Sequence, residues 1–166
     1  LKQPVEQSEK RVTKKPIGIK VSPQNSPVQP ERFSGYHTGV DYETLSGEEE
    51  AEIPVFVICG GKLLQTRSAD GYGGMAVQEC EIENQKVTVI YGHIDQSGVK
   101  SKIGDYLTPG QKLTDLGQGF GPETDGQRKH LHLGIHKGAG IDIRGYVDNQ
   151  AELENWIYFQ NLTNRK

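Results

Sequence analysis

His130-Leu131-His132-Leu133-Gly134-Ile135 is the stretch on which the reading of this chain of 166 residues turns. Alternate side chains of an extended strand share a face, so His130 and His132 project together while Leu131, Leu133 and Ile135 face a core. At a rise of about 3.3 Å per residue the two imidazoles stand about 6–7 Å apart. That spacing suits one metal ligand and one neighbour standing over whatever the metal holds. The plainer alternative is a surface strand that carries two histidines, and the rest of the chain decides between them.

Working outward, His37-Thr38-Gly39-Val40-Asp41 supplies another imidazole and a carboxylate. In a straight strand the two lie about 13 Å apart; a bend at Gly39, where positive φ is tolerated, brings them to one point. Adding His132 gives two imidazoles and a carboxylate. Three protein ligands with one position left to water is the pattern of a catalytic zinc site, in contrast to a closed structural one. The donor set disfavours iron–sulfur, calcium and magnesium. A bound zinc lowers the pKa of its water toward about 7 and polarises a carbonyl, and a neutral imidazole beside it can carry the proton to a leaving amine. His130 is placed for that work. The strand Lys86 to Ile94 is rich in β-branched residues, and by period two Val87, Val89, Tyr91 and His93 share a face. His93 can then hold the water or stabilise an oxyanion. His136 shares the face of His132 but lies about 13 Å along the strand and reads as surface.

Composition narrows the class. Hydrophobic residues make up 33% and there are 21 glycines, which favours a turn-rich β domain over a helical bundle. No apolar run approaches the roughly 18 residues of a membrane span. No export signal is visible, and the opening at Leu1 reads as a processed form. Residues 1–32 hold seven basic residues against three acidic ones, a net +4; the chain totals −3, so the remainder carries −7. An acidic domain without a basic–aromatic stripe argues against nucleic acid as a partner. Five of the eight prolines fall within the first 30 residues, and with few apolar residues that arm cannot fold alone. It reads as an extended, solvated tether, with residues 16–30 free to lie against the domain. Cys59 and Cys80 fit no metal spacing; a disulfide and two buried thiols remain equally open.

Alternation and turn signals place strands at Ile53–Cys59, Lys62–Arg67, Gly74–Ile82 and Lys86–Ile94, with the acidic stretch Glu48–Glu52 as a solvated turn. Residues 117–129 form a long polar loop, long enough to be functional. Asn149 and Glu152 are spaced as a capping box, followed by an apolar stripe of Leu153, Trp156 and Ile157, which predicts one helix over about 150–159. The expected fold is mainly β: an antiparallel β-sheet domain (33–166) with an open groove, one short C-terminal helix and an extended N-terminal arm (1–32).

The motifs His37-x-Gly39-x-Asp41, Gly71-Tyr72-Gly73, Val87-Thr88-Val89-Ile90-Tyr91-Gly92-His93, Ile103-Gly104…Pro109-Gly110-Gln111…Gly117 and His130-Leu131-His132-Leu133 follow one another in this order. Over roughly residues 33–148 the chain thereby resembles the lysostaphin/LytM-type zinc metallopeptidases, which cut peptide bonds in bacterial peptidoglycan. The resemblance implies one zinc ion held by His37, Asp41 and His132, with His93 and His130 as the catalytic pair. It also implies peptidoglycan peptides as substrate and an extracytoplasmic location, and a monomer is favoured. Two departures stand out: the loop 117–129 is longer than usual and Lys129 stands where proline is common, which bears on substrate preference. Gly134 replaces a polar residue at a position that is not a ligand. Two other readings compete: a catalytically inactive relative that binds cell wall or activates a partner, and a zinc-stabilised scaffold. The first usually lacks one of the five site residues, all present here; the second does not need the open coordination position.

Overall fold

The structure is a computed structural model in which residues 1–163 are described. These residues hold eleven strands: β1 (Lys20–Val21), β2 (Gly35–His37), β3 (Gly39–Glu43), β4 (Pro54–Phe56), β5 (Gly61–Ala69), β6 (Gly73–Ile82), β7 (Gln85–Gly92), β8 (Tyr106–Leu107), β9 (Lys112–Asp115), β10 (His130–Lys137) and β11 (Tyr146–Val147). They form a six-stranded sheet of order β3-β10-β7-β6-β5-β8, a three-stranded sheet β1-β2-β11 and a two-stranded sheet β4-β9. Every pairing is antiparallel and no sheet closes into a barrel, as the mainly β reading expects.

Strand β10 lies between β3 and β7, and its register builds the site. His132 is opposite Asp41 on β3 and opposite Gly92 on β7, while His130 is opposite Glu43. Directly opposed residues share a face with Cβ atoms about 4.5–5.5 Å apart. On the other face Leu133 meets Tyr91 and Ile135 meets Val89, all buried. There the Tyr91 hydroxyl accepts from the Ile58 amide and donates to Gln78 Oε1, both at 3.0 Å, so this hydroxyl is paired inside the core. Cys59 and Cys80 form a disulfide, which settles the alternative that the sequence leaves open.

Two expectations are corrected by backbone pairing. The single C-terminal helix is two short ones, α1 (Gln150–Leu153) and α2 (Phe159–Thr163). The cap is as expected, with the Glu152 amide donating to Asn149 Oδ1 at 2.9 Å. The helix stops because residues 155–157 pair with the end of β10: Lys137 N donates to Asn155 O and Ile157 N to Ile135 O, both at 2.8 Å. Trp156 then packs against His136, ring centroids 5.0 Å apart. His136 is accordingly half-buried, not a free surface residue.

The N-terminal residues do not stand off as a solvated tether. Val5, Ser8, Arg11, Lys15, Ile17 and Val21 are buried. Strand β3 has β10 on one side only, and an open edge invites pairing; Glu43 N donates to Arg11 O and Asp41 N to Lys15 O along it. Arg11 and Lys15 look like solvated charges in the sequence but are themselves buried and paired. Arg11 grips Glu48 through both terminal nitrogens, at 2.7 and 3.0 Å, so Glu48 is not part of a purely solvated turn. Lys15 donates to Glu31 and, at 2.8 Å, to the Tyr146 hydroxyl.

Candidate metal centre

His37 ends β2, Asp41 sits in β3, and the chain passes from the three-stranded to the six-stranded sheet at Thr38 between them. Gly39 does not take a positive φ; it serves for closeness. A Cβ there would lie 2.6 Å from both His132 Nε2 and the Leu133 carbonyl oxygen. Gly92, on the other side of His132, likewise leaves room for Tyr72, whose Cδ1 would lie 2.4 Å from an added Cβ. The two glycines make the slot that the His132 imidazole and the Tyr72 ring occupy.

That crossing, with β10 alongside, brings three donor atoms together. His37 Nε2 lies 3.0 Å from His132 Nδ1 and 3.2 Å from Asp41 Oδ1, and His132 Nδ1 lies 3.2 Å from that same oxygen. A tetrahedral zinc with bonds of about 2.0–2.1 Å spaces its ligand atoms about 3.3 Å apart, so the donor set and its spacing fit zinc. All three side chains are buried, and together they form a cluster able to hold a metal ion.

Backbone carbonyls set the tautomers. A carbonyl only accepts, so each Nδ1 facing one carries the proton. His37 Nδ1 donates to Pro16 O at 3.2 Å, His93 Nδ1 to Tyr72 O at 2.8 Å and His130 Nδ1 to Arg128 O at 2.8 Å. When neutral, each of these rings has its lone pair on Nε2. Burial brings His132 down to about 4, against the opposing hydrogen bond to Asp41, so the ring is neutral at ordinary pH, the form a ligand needs. Burial likewise holds His93 well below its usual value. Asp41 is pushed up by burial, but the nearby His37 and His130 outweigh this and keep it well below the carboxylate range.

His93 and His130 stand side by side at the mouth of the cluster, ring centroids 4.2 Å apart. His93 is the first residue after β7 and has φ of 63°, so it does not simply continue the alternation of Val87, Val89 and Tyr91. The left-handed backbone turns it out of the strand and onto the Tyr72 carbonyl. His130 Nε2 lies 3.3 Å from Asp41 Oδ2. All five residues line one cavity of about 250 Å³, along with Phe33, Tyr72 and Tyr146.

Several neighbours were not anticipated from the sequence. Arg128 donates from Nη2 to Asp41 Oδ2 at 2.9 Å and from Nε to Glu43 Oε2 at 2.8 Å. It stands two and four residues before His130 and His132, the period-two spacing that already placed those histidines, so the same signal extends to it. Tyr146 is opposite His37 in the small sheet and stacks on Phe33 at 5.2 Å; no motif marks it. Pro16 carries its role in a backbone carbonyl, which leaves no trace in residue type.

The family model described as peptidase family M23 matches residues 35–145. No curated protein sequence matches the chain. Among solved structures, the chain is similar to the catalytic domain of the antimicrobial peptidase lysostaphin from Staphylococcus simulans, with 20% identity and a TM-score of 0.53 over 82% of this chain and 90% of that one. It is similar to LytU, with 20% identity and a TM-score of 0.52 over 81% of this chain and 85% of that one. Csd3 of Helicobacter pylori is a third, with 20% identity and a TM-score of 0.53 over 93% of this chain but only 39% of that longer one. These structures share the fold, and the family match spans His37, Asp41, His93, His130 and His132: the chain belongs to peptidase family M23.

Proposed function

We propose that the chain is a zinc-dependent endopeptidase that hydrolyses peptide bonds of bacterial peptidoglycan. The observation that carries this reading is the convergence of His37 Nε2, Asp41 Oδ1 and His132 Nδ1 within 3.0–3.2 Å of one another, with two further imidazoles on the same cavity. Those three atoms would hold one zinc ion. Bound there, it would lower the pKa of a water toward about 7 and polarise the scissile carbonyl.

The protein's own groups do the rest. Arg128 satisfies Asp41 Oδ2, leaving Oδ1 to the metal set. His130, its Nδ1 fixed on a carbonyl, takes a proton at Nε2 and delivers it to the leaving amine. His93, fixed in the same way, faces it and, with its lone pair on Nε2, accepts a hydrogen bond from the attacking water and so orients it. Peptidoglycan as substrate is supported by the motif order that the chain shares with the lysostaphin/LytM-type enzymes. An extracytoplasmic location is supported by the Cys59–Cys80 disulfide, which persists in oxidising compartments. No helix among the described residues is long and apolar enough to cross a membrane.

The test pairs zinc content with clearing of purified peptidoglycan, for the wild type and His130→Ala. Zinc-loaded wild type that binds peptidoglycan without cutting it or its cross-bridge peptides would overturn the assignment in favour of a wall-binding relative. Mass spectrometry of a muropeptide digest then identifies the bond.

A further inference from the structure

Beside the metal cavity lies a larger one, of about 470 Å³, walled by residues 27–33 of the N-terminal segment on one side and by the loop around Phe120 and Arg128 on the other. The two cavities share Phe33 and Gln127, so a chain bound at the metal site can run into this space. One wall precedes residue 35, where the family match begins, so this chain builds the cavity from sequence outside the family domain.

Its charges are unevenly committed. The lining carboxylate, Glu31, is taken up by Lys15, by Ser26 Oγ at 2.7 Å and by the Phe33 amide at 3.2 Å. The cations retain free donors. Lys14 is exposed and, among the described residues, makes no hydrogen bond or ion pair. Arg32 is held by Asp125 through Nη2 alone, at 3.0 and 3.1 Å, and its guanidinium lies over the Phe33 ring, 5.2 Å from the centroid. Arg128 is committed through Nε and Nη2, which leaves Nη1. At the rim, Phe120 is 81% exposed with φ of 59°; its amide donates to Gln127 O at 2.7 Å, holding an apolar ring in the open beside the cations.

We propose that this cavity is a substrate subsite that recognises a free carboxylate on the peptide being cut, through Lys14 and Arg32, with Phe120 as the apolar rim against which the peptide packs. The proposal rests on the peptidase reading above. Charge-assisted hydrogen bonds to a carboxylate are the stronger kind, and the carboxylate that lines this cavity, Glu31, is already satisfied. Both cations are solvent-exposed, which keeps the effect modest and salt-sensitive.

The experiment uses the full chain and muramidase-released, uncross-linked muropeptides, either with free carboxyl groups or with those groups converted to carboxamides. Affinity is read by calorimetry at low and high salt. The wild type is expected to bind the carboxylate form about fivefold more tightly at low salt, with the preference shrinking at high salt. The Lys14→Gln/Arg32→Gln variant, altered only at exposed positions, should bind both forms alike at the weaker level. Equal affinity of the wild type for both forms, a preference kept by the double variant, or no binding at all overturns the subsite. Cleavage of cross-linked peptidoglycan by the same samples is scored separately. Cutting without the preference overturns the subsite alone, whereas the preference without cutting overturns the peptidase reading alone.

Discussion

Arg128 and Asp41 divide one carboxylate between two tasks: Nη2 of Arg128 lies 2.9 Å from Oδ2, while Oδ1 faces His37 and His132 at 3.2 Å. The same guanidinium also holds the buried Glu43. Removing it strands two carboxylates at once. Breaking a buried ion pair from one side costs about 3–5 kcal/mol. Arg128→Met is expected near the lower end, about 3 kcal/mol, because the Arg128 side chain is 12% exposed. Denaturant unfolding of the metal-free protein measures it.

His130 and His132 are two residues apart, and the proposed mechanism gives them separate roles. His132→Ala removes a ligand atom from the cluster, and zinc should be lost on dialysis. His130→Ala leaves all three ligand atoms in place; zinc should stay while turnover falls by about 10²–10⁴-fold, the range for a lost acid–base group. Metal analysis alongside peptide hydrolysis separates the two. Loss of zinc from His130→Ala, with retention in His132→Ala, would reverse the roles.

Glycine at position 39 is required for space. A methyl there would sit 2.6 Å from His132 Nε2, so Gly39→Ala should displace the imidazole, weaken zinc binding and cost about 1–3 kcal/mol by overpacking. Gly140 has nothing within 4 Å of an added Cβ, and Gly140→Ala should change neither. Chelator competition for zinc, run on both variants, decides the point.

The Lys15–Glu31 pair gives the N-terminal segment an acid-labile attachment. Burial alone raises the Glu31 pKa, but hydrogen bonds from Lys15 and Ser26 and the charge of Lys15 bring it below its ordinary 4.5. A group whose pKa is lower in the folded state contributes stability that is full above the unfolded value and is lost as pH falls through the folded one. Stability should therefore decline as pH drops below about 4.5, and Glu31→Gln should flatten that part of the curve. Melting curves between pH 3 and 6 read this directly.

How much of this was legible beforehand depends on where the information resides. The clustering of these residues was readable because imidazoles and a carboxylate at strand spacing constrain the register, and the register sets His132 opposite Asp41. The N-terminal segment was misread because composition counts Arg11 and Lys15 as solvated, whereas each is buried against a glutamate far along the sequence or across a turn. The C-terminal helix was overextended because its apolar stripe is equally served by edge pairing with β10. Local periodicity cannot distinguish those two outcomes. The backbone carbonyls of Lys15 and Pro16, which steady Asp41 and His37, belong to no residue-type pattern at all.

Those two carbonyls bear on the order of assembly. The backs of two ligands are completed by residues 15 and 16, and Lys15 in turn reaches Tyr146, 131 positions away along the chain. Contacts of such sequence separation are the slow ones to form. A tight metal site in this protein therefore reports that the beginning and the end of the chain have met, so zinc uptake during refolding should lag behind formation of the central sheet.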